Sequence, residues 1–289
     1  MQEKAPDIRI ADIPDKFLHE IQRALSPYSV AIARVKGDDA STFQPLGTGV
    51  FVKRDGWFGV LTAYHCLHNC TPHVTLGHDA GDTLLFIMNN GRQMVLKPFE
   101  VAEEPLAIPL LDVSGPDLTF IRIMSEDRIS SIKAIGSFWN LSQEMNPILE
   151  KYSEPKTPLA SIGFPGMDYV TEIDGFDIHH KVCNMTYLNA IGEGDITTLA
   201  DWDYIDLTCT YTKTNNLPVT FAGVSGGPVW AYELNISKST GEYSLGKFAL
   251  VGIKFYQSAL IDNQRKLKAH FIRSIYDTAW KNAPLLLGA

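Results

Sequence analysis

The sequence lacks the features that mark a nucleic-acid-binding or membrane protein. No run of lysine or arginine occurs, and the formal net charge is -8 over 289 residues. A sequence-independent grip on a phosphate backbone needs clustered positive charge, so we expect no nucleic-acid partner. No apolar run approaches the length needed to cross a bilayer, so we expect no membrane partner either.

Cysteine is scarce. The N-terminal stretch places acids and prolines where a secretory signal would need an unbroken apolar segment. We therefore expect free thiols, a reducing compartment and a cytoplasmic location. The cysteines are Cys66, Cys70, Cys183 and Cys209.

A small cluster of cysteines and histidines raises the alternative of a metal site. The spacing in this cluster differs from the short paired-cysteine pattern of structural zinc, so we expect no metal there. Its members are His65, Cys66, His68, Cys70 and His73.

The chain does contain many short strand-like runs separated by turn residues, such as SVAIARV, GTGVFVK and FGVLTAY. An Asp-Gly pair at Asp55 and Gly56 predicts a hairpin between the last two. Apolar residues at helical spacing predict a helix over residues 14–25 and another over 263–281. We divide the chain into an N-terminal helical extension (1–27), a first β block (28–125), a connector (126–158), a second β block (159–262), and a C-terminal helix and tail (263–289).

Two successive antiparallel blocks of similar length predict an all-β protein. A bare sheet leaves edge strands unpaired, and closing each block into a barrel removes those edges. We therefore expect two small barrels side by side, with one helix at each end of the chain.

The stretch FAGVSGGPVW, residues 221–230, combines a serine with three glycines. A serine hydroxyl becomes a useful nucleophile when an adjacent base takes its proton. Glycines allow backbone amides to face one point, where they can stabilise the negative charge of an acyl-transfer intermediate. We predict that Ser225 is the nucleophile and that the amides of Gly223 and Ser225 form an oxyanion hole.

The first block supplies a base and a carboxylate. His65 follows the apolar run Leu61-Thr62-Ala63-Tyr64, and Asp117 opens the alternating strand Leu118 to Ile123. A histidine held by a carboxylate is the usual partner of a nucleophilic serine. The three residues would meet in the cleft between the blocks. Asp112 is an alternative to Asp117, because it lies close in the sequence.

The motifs LTAYHC, PDLTFIRI and GVSGGPVW, in this order, resemble the trypsin-like (chymotrypsin-fold) serine peptidases, most closely their bacterial, non-secreted type. GTGVFV, SIGFPG and LVGIKFY are similar to further strands and turns of that family, and the likeness spans about residues 29–257. It implies two antiparallel six-stranded β-barrels and a serine endopeptidase acting on polypeptides. It assigns Ser225 as nucleophile, His65 as general base and acid, and Asp117 as the residue that orients His65, with no metal or organic cofactor.

The resemblance also places the primary specificity pocket. No carboxylate occurs at its base, so cleavage after lysine or arginine is not expected. An apolar base and a bulky wall favour a small or medium apolar side chain, whereas Lys254 could instead attract an acidic one. The pocket residues are Val219 and Thr220 at the base and Lys254, Phe255, Tyr256 and Gln257 in the wall.

Two other functions stay open at this point. The chain could keep the fold as a binding or scaffold protein without cleaving anything. It could also be a protease of a bacterial stress or defence system that a regulatory protein partner triggers. Val224 stands where secreted members carry an aspartate that pairs with a new amino terminus, so activation by that route is excluded.

Overall fold

Two antiparallel sheets form the framework of the protein, whose structure is a computed structural model. The structure describes residues 14–36, 39–68, 82–88, 91–109, 115–153, 157–164, 169–174, 177–182, 186–190, 194–212, 217, 220–237 and 239–281.

The first sheet has the strand order β5-β4-β1-β2-β3-β7-β6, and the short strand β8 pairs in parallel with β2. Its backbone hydrogen bonds place the end of β3 beside the start of β7, with Thr62 opposite Thr119. The strands are β1 (Ser29–Lys36), β2 (Asp39–Arg54), β3 (Trp57–Thr62), β4 (Asp82–Met88), β5 (Gln93–Leu96), β6 (Val101–Ala107), β7 (Leu118–Ile123) and β8 (Trp139–Asn140).

The second sheet has the order β12-β9-β15-β16-β17-β14-β13, and a separate hairpin pairs β10 with β11. The strands of this half are β9 (Leu159–Gly163), β10 (Tyr169–Asp174), β11 (Asp177–Val182), β12 (Thr186–Ala190), β13 (Asp195–Leu199), β14 (Trp202–Thr210), β15 (Pro228–Ile236), β16 (Tyr243–Gln257) and β17 (Gln264–His270).

The predicted mostly β architecture with two antiparallel blocks is confirmed, but two closed six-stranded barrels are not. The sheets have eight and seven strands, and in the described part of the chain strand pairing closes neither of them. The first count exceeds six partly because the connector adds β8 alongside β2.

The predicted N-terminal helix is confirmed as α1 (Asp15–Leu25), which buries Phe17, Ile21 and Leu25 at helical spacing. A four-residue helix, α2 (Tyr64–Leu67), follows β3. The connector contains α3 (Glu126–Lys133) and α4 (Asn146–Tyr152).

The predicted C-terminal helix over 263–281 is wrong in its first half. Residues 264–270 form β17, paired with β14 on one side and β16 on the other. Leu267 and Ala269 are buried while Lys266 and Lys268 alternate with them, which is the period of a strand. The helical part is a π-helix over Ser274–Thr278 followed by α5 (Ala279–Lys281).

One large apolar core joins the two halves. Leu61 and Phe120 of the first sheet pack in the same buried cluster as Trp230 and Val251 of the second sheet. The two sheets that carry the predicted site residues therefore share a continuous interior.

Candidate active site

His65 and Asp117 form a tight pair at the end of the first sheet. His65 lies on α2, just after β3 ends, and Asp117 immediately precedes β7 as predicted. His65 Nδ1 lies 2.5 Å from Asp117 Oδ2, and the His65 amide donates to Asp117 Oδ1 at 3.0 Å. Because the carboxylate holds Nδ1–H, Nε2 is the nitrogen that can accept a proton.

The exposures of the pair differ in a useful way. The Asp117 side chain is 8% exposed and the His65 side chain 38% exposed. The carboxylate is therefore shielded from water while the imidazole edge can meet a ligand. Asp112, the alternative carboxylate, lies outside the described residues.

The Ser225 turn belongs to the second sheet but is fastened to the first. The Ser225 carbonyl accepts hydrogen bonds from the Thr48 amide at 2.8 Å and from Cys66 Sγ at 3.4 Å. The Thr48 hydroxyl donates to the Gly223 carbonyl at 2.7 Å. Since Cys66 directly follows His65, the turn contacts the short helix that carries the imidazole. Between the two described side chains, no hydrogen bond joins the Ser225 hydroxyl to His65.

Backbone conformation and lack of space explain the glycines of the turn. Gly223 and Gly226 have φ values of 92° and 80°, a region that side chains rarely allow. A Cβ on Gly226 would also overlap the Thr62 hydroxyl and the Thr48 carbonyl. The amides of Gly223 and Ser225 donate to no acceptor in the described residues, so both are available to an oxyanion.

The predicted pocket residues do not form one exposed wall. Val219 lies outside the described residues. Tyr256 is 37% exposed, whereas Phe255 is 3% exposed. The Gln257 side chain accepts from the Phe221 amide at 2.9 Å and donates to the Thr220 hydroxyl at 3.2 Å, which braces the segment before the serine.

The possibility that Lys254 attracts an acidic substrate side chain is wrong. Lys254 is 2% exposed, and its Nζ donates to the Ser161 hydroxyl at 2.5 Å and to the Ile162 carbonyl at 2.7 Å. Burial lowers the pKa of this amine to about 7. Its backbone serves the turn, because the Lys254 carbonyl accepts from the Gly226 amide at 2.6 Å.

The structure adds site residues to which the sequence analysis assigned no role at the site. Thr48, inside the quoted run GTGVFV, links the two sheets at the turn. His68, three residues after His65, has its Nε2 2.6 Å from Glu103 Oε1. His270 lies against the backbone of Asp117. Thr48 belongs to the family-like run GTGVFV, and His68 belongs to the cysteine and histidine cluster weighed as a metal site. His270 lay in a segment predicted to be helical.

The cysteine and histidine cluster does not assemble as a metal site in the described part of the chain. No group of three ligating side chains occurs there, and Cys70 and His73 lie outside it. Cys66 is a free, buried thiol whose pKa burial raises to about 12, so it is not a reactive nucleophile. Cys209 is also a free thiol.

Comparison with known proteins adds little to this geometry. No family model and no curated protein matches the chain. A solved structure titled for the coupled folding and binding of the intrinsically disordered Sesbania mosaic virus VPg protein covers 93% of this chain and 92% of its own, with 14% identity and a TM-score of 0.43. A likeness of that size supports no assignment. None of the helices in the described ranges has the length and apolarity needed to span a bilayer.

Proposed function

We propose that the protein is a serine endopeptidase in which Ser225, His65 and Asp117 form a catalytic triad. The observation that carries the proposal is the 2.5 Å pair of His65 and Asp117, which leaves Nε2 to accept a proton. The helix that carries His65 also contacts the Ser225 turn, through Cys66. That pair supplies the oriented base that a serine hydroxyl needs.

The proposed reaction follows from these positions. His65 Nε2 takes the Ser225 proton as the oxygen attacks the scissile carbonyl, and the same imidazole then protonates the leaving amine. The amides of Gly223 and Ser225 stabilise the tetrahedral oxyanion. Water hydrolyses the acyl-enzyme by the reverse proton route. This chemistry needs no metal or organic cofactor.

The proposal extends to the fold, the cleavage preference and the location of the enzyme. We propose that the two sheets correspond to the two six-stranded barrels of the trypsin-like fold, and that the enzyme cleaves after small or medium apolar residues. A cytoplasmic location fits the free thiols Cys66 and Cys209, because free thiols persist in reducing compartments.

Replacement of Ser225 tests the proposal. Ser225→Ala should abolish both peptide cleavage and covalent labelling by an organophosphonate, because the attacking oxygen is gone. The exposed Ser131→Ala serves as the matched control and should keep wild-type labelling. A proteome-derived peptide library incubated with wild type and Ser225→Ala reads cleavage and pocket preference together. Cleavage that persists in Ser225→Ala would refute the triad.

A second candidate is a binding or scaffold protein, or a protease that waits for a regulatory partner. The missing hydrogen bond between the Ser225 hydroxyl and His65 favours this alternative. The isolated protein would then resist the organophosphonate. Labelling that starts only on addition of lysate from stressed cells would identify the partner-triggered form.

A further inference from the structure

A histidine of the second sheet contacts the residue that orients His65. His270, at the end of β17, has its Nε2 3.0 Å from the Asp117 amide nitrogen and 3.2 Å from the Asp117 carbonyl oxygen. Asp117 and His270 are far apart in the sequence and belong to different sheets. This contact therefore ties the backbone of Asp117 to the half of the molecule that carries Ser225.

The surroundings of His270 hold its ring in one place. The side chain is fully buried and stacks on Phe255 with ring centroids 4.5 Å apart. Trp202 and Tyr204 flank it at 5.2 and 5.4 Å. Burial lowers the pKa of the imidazole to about 4, so the ring is neutral at neutral pH.

A packing role alone does not account for an imidazole at this place. Nδ1 of His270 has no hydrogen-bond partner in the described part of the chain, so the ring carries a buried polar atom at a cost. A phenylalanine would fill the same aromatic box without that cost. The feature that a phenylalanine cannot reproduce is the hydrogen bond of Nε2 to the Asp117 backbone.

We propose that His270 is a positioning residue that fixes the Asp117 backbone, so that the carboxylate meets both the amide and Nδ1 of His65. The expected effect on reaction rate rests on the proposed function. The placement of His65 can be measured without any reaction. His270 touches neither substrate nor the reacting atoms in this scheme. Its effect passes through Asp117 to the imidazole.

Three variants separate positioning from packing. His270→Phe keeps the aromatic ring and removes the hydrogen bond. His270→Gln restores a group that can donate to or accept from the Asp117 backbone. Tyr204→Phe is the matched control, because it changes the same aromatic box and removes a hydroxyl without a partner among the described residues.

The first measurement is the rate of labelling at several organophosphonate concentrations. It yields two values, the binding constant of the reagent and the maximal rate constant of labelling. We expect His270→Phe to lower the maximal rate roughly tenfold to a hundredfold, since a small displacement of a catalytic group has effects of that size. The binding constant should change little. His270→Gln should recover most of the rate, and Tyr204→Phe should match wild type.

The second measurement is the proton NMR resonance of His65 Nδ1–H, which reports the hydrogen bond to Asp117 without any reaction. We expect it to shift or broaden in His270→Phe and to return in His270→Gln, in both the wild-type and the Ser225→Ala backgrounds. An unchanged resonance and labelling rate in His270→Phe would overturn the inference. Failure of the proposed function alone would abolish labelling in wild type but leave the response of the resonance to the variants intact.

Discussion

At the residue scale, Lys254 is a buried amine with neutral partners. Its Nζ contacts the Ser161 hydroxyl and the Ile162 carbonyl, and in the described residues it forms no ion pair with a carboxylate. Burial therefore disfavours the charged form and lowers its pKa to about 7. Between that value and the ordinary value of 10.5, the unfolded chain binds a proton that the folded chain does not.

This difference predicts how stability depends on pH. Because the unfolded state holds more protons between about pH 7 and pH 10, the free energy of unfolding should rise with pH in that window by up to about 1.4 kcal/mol per pH unit. Lys254→Met should lose this slope, whereas the exposed Lys247→Met should keep it. Urea unfolding at three pH values within the window measures both. Equal slopes in wild type and Lys254→Met would contradict the prediction.

At the element scale, contacts with β6 and β7 hold the short helix α2 in position. His68 pairs with Glu103 of β6, and the Thr119 hydroxyl of β7 donates to the same carboxylate oxygen at 3.1 Å. Tyr64 stacks on His68 with ring centroids 4.0 Å apart. A four-residue helix has too few internal hydrogen bonds to be stable alone, so these contacts hold the turn that carries His65.

Removal of the Glu103 carboxylate should therefore loosen α2. Glu103→Leu leaves the buried His68 without its acceptor, whereas the Thr119 hydroxyl can still donate to the Glu104 carbonyl at 3.3 Å. We expect the change to lower the free energy of unfolding by about 1–3 kcal/mol. Glu104→Leu, the neighbouring change, should cost less, because the Glu104 carboxylate makes no hydrogen bond with the described residues. Urea unfolding compares the two, and an equal or smaller loss in Glu103→Leu would rule out this role for the pair.

At the scale of the whole molecule, Tyr276 near the C-terminus links the connector and both sheets. Its hydroxyl accepts from Trp139 Nε1 at 2.7 Å and donates to the Leu250 carbonyl at 2.9 Å. Its backbone carbonyl accepts from the Arg54 guanidinium at 2.6 Å. The C-terminal helical segment thus fastens β8, β16 and β2 together around the common core.

We expect Tyr276→Phe to destabilise the whole fold by about 1–3 kcal/mol, because it leaves the Trp139 indole and the Leu250 carbonyl without their partner. Tyr232→Phe is the matched control, since that buried hydroxyl has no partner among the described residues and its loss should be neutral or stabilising. Thermal unfolding followed by near-UV circular dichroism measures both variants. A melting temperature for Tyr276→Phe at or above that of Tyr232→Phe would speak against the link.

The two ends of the chain show where the spacing of apolar residues predicts secondary structure correctly and where it does not. In α1 the apolar residues fit only a helical period, and the prediction was confirmed. Near the C-terminus the spacing of Leu267 and Phe271 fits a helix, but Leu267 and Ala269 of β17 also fit a strand. Pairing with β14 and β16 satisfied the backbone there, so tertiary contacts overrode the local pattern.

The sequence by itself determined the features that depend on neighbours along the chain. These are the helix α1, the antiparallel strands, the glycine turn around Ser225, and the strand ends that present His65 and Asp117. A short chain segment specifies each of them through its own periodicity or backbone freedom.

Only the tertiary structure decided which way Lys254 points and that His270 meets Asp117. The Lys254 side chain reaches Ser161 and Ile162 of β9, a strand that lies far from it in the sequence. Contacts between residues more than a hundred positions apart arise from how the sheets pack, and no local pattern encodes them.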